Sequence, residues 1–329
     1  MSDPRILTIV LNYKTAQMTL KAAASARAAM QGLPGEIVIV DNDSQDGSFD
    51  EMAAHIAAEG WDTTRVIQSG RNGGYGAGNN VGIRAGMADG SKPDYVYILN
   101  SDAFPKPDAI KVLYDHLNTT PTTGFAGSYI EGEDEVQHLT TFRFPSIWSE
   151  FEGSIHFGPV SKLLKSHRVP RDLNETAQVD WLAGASVMMR QDILDEIGLF
   201  DETFFLYFEE TDLCLRAQKA GHQIMYLADS IVTHIGSVST GMKEWKRVPE
   251  YWFDSRWYYF SKNHGRAYAA CATSLHLIGG SLNWVRRKLT GKTPGGAPHF
   301  LRTMARHDAA ALFKFQRSRP PEVSPQIGE

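Results

Sequence analysis

Three carboxylates, Glu209, Glu210 and Asp212, fall within four positions directly behind the aromatic run Phe204-Phe205-Leu206-Tyr207-Phe208, and an amphipathic helical pattern continues to Arg216. Carboxylates set beside so much apolar surface lose hydration, and like charges close together repel. Both effects raise a carboxyl pKa and suit the group to take up a proton. Acids also favour the positive end of a helix dipole, which accounts for one or two of the three as a helix start. It does not account for the aromatic wall. Proton handling is therefore the chemistry expected here, with Glu209, Glu210 and Asp212 all candidates and Asp212 on the helical face of Glu209.

A second set of polar residues ends apolar runs. Asp102 closes Leu99-Asn100-Ser101-Asp102. One carboxylate with a neighbouring amide cannot cage a metal alone, but it suits Mg²⁺ or Mn²⁺ that completes its shell with water and substrate phosphates. His234 would add an imidazole better suited to Mn²⁺, although a lone histidine also serves as plain structure. Asp41 follows Ile37-Val38-Ile39-Val40 and is placed to bond a nucleobase or ribose, whereas Asp43 to Asp46 read as turn and cap. Between Gly70 and Asn80 five glycines allow close backbone approach to a ligand. Neither dinucleotide nor P-loop spacing is present there. Arg71, in the same stretch, can meet a base carbonyl or a phosphate.

The elements that would carry these residues follow from periodicity. Strand-like runs over 5–12, 36–42, 64–67 and 95–99 alternate with helical patterns over 15–30, 47–59 and 70–87, which implies parallel βαβ units and an α/β fold. Ligands bind beyond the carboxyl ends of such strands, where Asp41 and Asp102 lie. The stretch 131–177 reads as less regular, with a basic, loop-like segment over 153–171. Regular structure returns at 179–189, and Gly198 to Glu202 reads as a helix-ending turn. A hydrophobic content of 42% and a charged content of 22% exclude wholesale disorder. Two distant cysteines, Cys214 and Cys271, and an N-terminus without a signal-peptide pattern lead to the expectation of a cytoplasmic protein.

Taken in order, the motifs resemble family 2 glycosyltransferases of the GT-A fold, in the bacterial rhamnosyltransferase-like branch. The matching segments are Ile9 to Tyr13, Val40 to Ser44, Asn72 to Asn79, Leu99 to Asp102, Gly198 to Glu202 and Phe205 to Arg216. The resemblance implies a Rossmann-like, mostly parallel sheet flanked by helices, and a nucleoside-diphosphate-sugar donor, UDP- or dTDP-linked, with Mn²⁺ or Mg²⁺. It implies donor contacts at Asn12, Asp41, Arg71, Gly74, Asn79, Asn100, Ser101 and Asp102, with Asp102 and His234 at the metal. Asp102 matches the last Asp of the family's DxD motif, and Asn100 replaces the first. The family's Glu-Asp pair falls on Glu209-Glu210, which makes Glu210 the base of an inverting transfer, Asp212 its nearest competitor and Glu209 a supporting group. Trp181, Leu182, Ala183 and Gly184 match the segment near sugar and acceptor, with core packing the alternative for Trp181.

The charge is uneven. Residues 241–319 hold 15 Lys and Arg against 4 Asp and Glu, although the whole chain carries a net charge of −5. Three parts are expected: a catalytic domain over 1–240, a basic aromatic helical extension over 241–319, and a flexible tail over 320–329. Aromatic residues interleaved with cations in the extension fit either peripheral contact with the inner face of the cell membrane or a homo-oligomer. No nucleic-acid-binding module is recognisable. The expected acceptor is a saccharide or lipid-linked saccharide in cell-surface glycan synthesis. Two rival readings are a sugar nucleotidyltransferase and a catalytically inactive sugar-binding scaffold. The first lacks its glycine-rich loop after the first strand, where Leu11-Asn12-Tyr13-Lys14-Thr15 stands instead. Retention of Asp102, Glu210 and His234 together argues against the second.

Overall fold

A computed structural model describes residues 3–236, 247–293 and 297–313. The tail expected over 320–329 lies outside the described residues, as do 241–246 and 314–319 of the expected extension. The N-terminal half alternates as the periodicity predicts: β1 (Ile6–Asn12), α1 (Ala16–Ala29), β2 (Gly35–Asp41), α2 (Ser48–Ala58), β3 (Thr64–Gln68), α3 (Tyr75–Ala85) and β4 (Tyr95–Asn100). Then follow β5 (Ala103–Pro105), α4 (Ala109–Thr119), β6 (Thr123–Glu131), β7 (Thr141–Phe142), α5 (Ile147–Ile155), α6 (Gly158–Leu163), β8 (Pro170–Arg171) and β9 (Ala177–Val179). The chain continues through β10 (Trp181–Leu182), β11 (Ser186–Arg190), α7 (Gln191–Ile197), α8 (Glu209–Lys219) and β12 (Gln223–His234). Helices α9 (Glu250–His264), α10 (Arg266–Leu289) and α11 (Phe300–Phe313) complete it.

One large sheet runs β3-β2-β1-β4-β11-β6-β12-β5, with β9 also paired to β12. Strands β1 to β4 are mutually parallel, while β11 runs antiparallel between β4 and β6. Because strand side chains alternate between faces, β1 sends Ile6 and Val10 into one core and Leu7 and Ile9 into the other. The first core is closed by α1, whose small Ala22, Ala23 and Ala26 let the helix approach the sheet, and by α4. The second is closed by α3, α7 and α8. Register then aligns the polar strand ends: Asn12 lies opposite Asp41, Leu11 opposite Asn100, and His234 opposite Ala103, next to Asp102.

The stretch 131–177 is more ordered than its pattern predicts. It holds α5 and α6 and two strands of a small sheet, β10-β7-β8. These elements are short, six residues in α6 and two in β7, and leave no periodic signal. A reciprocal box between Ser146 and Ser149 starts α5.

The C-terminal helices dock on the rest of the fold through an aromatic cluster of Phe204, Trp257, Tyr259 and Phe260. Gly265, at φ 91°, turns α9 sharply into α10, a conformation only glycine adopts without strain. Where α10 crosses α5, a Cβ on Gly279 would lie 2.2 Å from Ser154 Oγ, so the glycine sets how closely these helices pack. Inside the bundle the buried Arg256 guanidinium donates to Glu150, Thr273 and Asp308. Burial alone would lift the Glu150 carboxyl, but Arg256 and His276 outweigh it and hold it down at about 2. Among the described residues no helix is long and apolar enough to cross a membrane.

His307 ties α11 to this network, bonding Asp308 at 2.7 Å and Asp254 at 2.8 Å. Burial lowers its imidazole pKa, yet the two carboxylates override that and raise it to about 9. A His whose folded pKa exceeds its unfolded value, about 6.5, contributes stability below that value and loses it as pH rises through the folded one. The thermal midpoint should therefore fall between about pH 6.5 and pH 9, and His307→Gln should flatten that decline. An unchanged profile in the variant would remove His307 from the stabilising network.

Candidate active site

At the end of β1, Asn12 is buried and fully used. Its amide donates to Asp41 Oδ1 at 2.7 Å and to Ser44 Oγ at 3.1 Å, while its carbonyl accepts from Thr19 at 2.8 Å. Ser44 also donates to Asp41 Oδ1 at 2.5 Å, so Asp41, 1% exposed, is fixed from two sides. Asn12 thus orients the carboxylate expected to meet the nucleotide. The expected turn chemistry just after it is visible: Asp43 and Gln45 take positive φ, and Asp46 accepts from the Ser48 amide at 3.0 Å at the start of α2.

Arg71 projects from the β3–α3 loop and is half exposed. Glu202 holds it at 3.0 Å and also binds Arg84 at 2.7 Å, so the segment read as a simple turn positions the arginine. Sequence reasoning missed Glu202 because its partners are more than a hundred residues away. Gly74 has a packing duty. Its φ is 90°, a Cβ would fall 1.8 Å from Phe205 O, and the next amide, Tyr75 N, donates to that oxygen at 3.0 Å. The glycine-rich stretch therefore lets α3 start against the backbone that leads to α8. Buried Asn79 donates to Tyr75 O at 3.0 Å, and its own carbonyl has no partner among the described residues.

The end of β4 supplies Asn100, Ser101 and Asp102. His234 Nε2 lies 3.0 Å from Asp102 Oδ1 and 3.4 Å from Asn100 Nδ2. Ser101 is buried, with its hydroxyl 3.5 Å from Thr15 Oγ1. The Asp102–His234 pair forms because β5 aligns His234 with Ala103, and the Ile235 amide donates to Asp102 O at 3.1 Å. His138, which the sequence reading passed over, sets its ring centroid 6.3 Å from that of His234. Among the described residues no group of three or more His, Cys, Asp or Glu is arranged to hold an ion. One carboxylate and one imidazole in contact, with an amide alongside, match a divalent ion that takes its other ligands from a diphosphate.

Helix α8 begins under strain. Tyr207 and Phe208 both adopt left-handed backbone, at φ 70° and 68°, which is costly for bulky residues and typical of functional sites. The turn aims Glu209 inward, where it is buried and one carboxyl oxygen has no hydrogen-bond partner among the described residues. Burial, then the Glu210 charge, pushes the Glu209 pKa well above the carboxylate range. Burial also raises Glu210, partly offset by backbone amides including that of Gly184, 3.4 Å from Glu210 Oε1. Glu210 borders a small cavity of about 20 Å³ walled by apolar groups such as Phe125, Leu182 and Leu213.

Gly184 connects this acid pair to the strand ends. The next carbonyl, Ala185 O, accepts from Asn100 N at 3.0 Å, so Glu210 and Asp102 are linked through the Gly184–Ala185 and Asn100 backbone. The Tyr75 hydroxyl donates to Gly184 O. Burial, then the charges of Glu210, Glu209 and Asp102, drives the Tyr75 pKa well up, which keeps the phenol protonated as the donor to Gly184 O. Its signal in the sequence is slight: a single aromatic among the glycines.

One expectation needs correction. Asp212, taken as the nearest rival for the base, is wholly buried and faces α9. It accepts from Arg216 at 2.9 Å, Lys262 at 2.8 Å and Asn263 at 3.0 Å, so its lone pairs are committed. Leu182, expected near the acceptor, is core, close-packed against Gly127 and forming part of the wall of the cavity beside Glu210. Trp181 stacks on Phe142 with centroids 4.1 Å apart and donates to Arg143 O, while the Ala183 amide bonds Thr140 O. Of the four residues expected near the acceptor, Gly184 sets its amide 3.4 Å from Glu210 Oε1.

The Asp212 carboxylate anchors the catalytic helix. Lys262 bridges it to Asp201 at 2.8 Å, and Ser255 of α9 donates to Leu206 O at 2.9 Å. Weakening a buried ionic cluster costs about 3–5 kcal/mol. Asp212→Asn should lower the unfolding free energy by about that amount in urea, and a variant as stable as the parent would contradict the anchoring role.

The family model for glycosyl transferase family 2 matches residues 6–198. The chain is 29% identical over 221 residues to an N-acetylglucosaminyl-diphospho-decaprenol L-rhamnosyltransferase of Mycobacterium tuberculosis (strain CDC 1551 / Oshkosh), covering 63% of this chain and 69% of that one. It is 26% identical over 158 residues to rhamnosyltransferase WbbL of Escherichia coli K12, covering 47% and 58%. The solved mannosyltransferase PcManGT from Pyrobaculum calidifontis, in complex with GDP-Man and Mn²⁺, aligns over 94% of this chain and 86% of its own. Its TM-score is 0.50 at 14% identity, a likeness of fold alone. The matched span runs from β1 through α7, across the strand ends that carry Asn12, Asp41 and Asp102. The chain belongs to glycosyl transferase family 2.

Proposed function

We propose that this glycosyltransferase moves a sugar from a nucleoside diphosphate, UDP- or dTDP-linked, to an acceptor hydroxyl with inversion at the anomeric carbon. The observation that carries the reading is the desolvated Glu209–Glu210 pair, tied through Gly184 and Asn100 to the Asp102–His234 pair at the strand ends. Asp41, oriented by Asn12 and Ser44, and Arg71, held by Glu202, would hold the nucleoside. Asp102 and His234 would hold Mn²⁺ or Mg²⁺, which supplies a Lewis acid against the diphosphate charge. That PcManGT was solved with GDP-Man and Mn²⁺ supports the metal.

In this reading Glu210 takes the proton of the acceptor hydroxyl as its oxygen bonds to the anomeric carbon. The bond from that carbon to the diphosphate oxygen breaks on the opposite face, and the nucleoside diphosphate leaves. Burial serves this step, since a raised pKa makes Glu210 a stronger base than an exposed carboxylate. Glu209 is raised as well, by burial and then by the Glu210 charge, so the two carboxyls titrate as a pair and one shared proton spares the site two adjacent charges. The decaprenol-linked substrate named for the mycobacterial relative supports a lipid-linked saccharide acceptor and a role in cell-surface glycan synthesis.

General-base catalysis typically contributes about 10²–10⁴-fold, so Glu210→Gln should lower kcat by that order while donor binding survives. Near-normal turnover would exclude Glu210 as the base. The base must be deprotonated, so kcat of the parent enzyme should fall on acidification through a pH above the ordinary glutamate value of about 4.3. Asp102→Ala should abolish the Mn²⁺-dependent part of nucleoside diphosphate binding, measured calorimetrically. Binding that keeps its metal dependence would remove Asp102 from the ion's shell.

A further inference from the structure

Two stretches of the chain contain no acid at all: Gly153 to Arg171 and Ser255 to His307. In the fold they are neighbours. Helix α10 packs along α5, Arg286 donates to His156 O at 2.7 Å, and its guanidinium covers the Phe157 ring at 5.1 Å, just before α6. Along the outer side of α10, Ile278, Leu282, Val285 and Leu289 follow at helical spacing and stay exposed, at 50%, 52%, 46% and 83%. Leu163 at the end of α6 is 82% exposed. Exposed Lys288 and Lys292 lie on and just past α10, and exposed Lys162 and Lys165 flank Leu163, with no carboxylate in either segment to neutralise them.

We propose that the outer face of α10, with α6 beside it, docks the protein on an anionic lipid bilayer, α10 lying in the plane of the interface. Leucine-type side chains at i, i+4, i+7 and i+11 would enter the acyl boundary, and the lysines around them would meet lipid phosphates. A second copy of this chain would bury the same stripe, but it would set lysines against lysines. An anionic bilayer satisfies both halves of the surface at once. Such docking needs no helix that spans the membrane, in keeping with what the described residues contain. The inference does not depend on the transferred sugar or on the base, since binding is read without turnover.

The test is co-sedimentation of the full-length protein with phosphatidylcholine vesicles, with and without phosphatidylglycerol, at low and high salt. Binding is expected only with phosphatidylglycerol, and it should weaken as salt rises. Replacement of exposed cations in Lys288→Ser/Lys292→Ser should weaken binding by about fivefold for each lysine removed. Leu282→Glu/Val285→Glu should abolish it while the thermal midpoint stays at the parent value, since both side chains already face solvent. Failure of the parent protein to bind anionic vesicles, or equal binding by both double variants, would overturn the proposal. A dimer in light scattering that Leu282→Glu/Val285→Glu dissociates, without vesicle binding by the parent, would give the face to a second copy and overturn it equally.

Discussion

Two adjacent carboxyl groups, Glu209 buried and Glu210 half-buried, forgo hydration side by side, and much of this fold is arranged to hold them in that condition. The cost is visible at Glu209, where one oxygen is buried without a partner among the described residues. It is visible again at Tyr207 and Phe208, whose left-handed backbone turns the chain into α8. Against this stand the positive end of α8, the Gly184 amide, and the ionic knot that Asp212 forms with Arg216 and Lys262 on the opposite side. Three neighbouring acids thus divide the labour: Asp212 spends its charge on anchoring, while Glu209 and Glu210 form the coupled pair whose proton affinity burial raises. Stability given up at the site is recovered where the helix is tied down.

The C-terminal helices belong to the same arrangement. Asp212 and Asp201 are both held by Lys262 of α9, and Leu206 by Ser255, so the loop before Glu209 is built from two distant parts of the chain. Gly74 adds a third, since its missing side chain lets α3 meet Phe205. The strand-end residues proposed to face the nucleotide are fixed differently. Asn12, Asp41 and Asn100 sit at the ends of adjacent parallel strands, where register alone brings them side by side.

That difference explains what could be read from sequence. Strand-end positions were legible because apolar runs stop abruptly at Asp41 and Asn100, and parallel topology converts each stop into a place in the site. The aromatic-acid run gave the location of Glu209 and Glu210 for a similar reason: its composition conflicts with its burial. What escaped were partnerships across long separations. Nothing local distinguishes Asp212 from Glu209, because Lys262 and Asn263 lie fifty residues on. Glu202 looks like turn punctuation until Arg71 is beside it, and Leu182 looks like loop until it fills the space over Gly127. The helices α5 and α6 were hidden by brevity and not by contradictory signals.

The central claim is that Glu210 is a carboxylate whose proton affinity is raised by desolvation beside Glu209. Carbon-13 NMR titration of glutamate side-chain carboxyls, with the two signals assigned by their disappearance in Glu210→Gln and Glu209→Gln, measures it without knowledge of the sugar. The account predicts that both signals titrate above the ordinary glutamate value of about 4.3, in two coupled steps. A Glu210 signal that titrates at or below that value would contradict it.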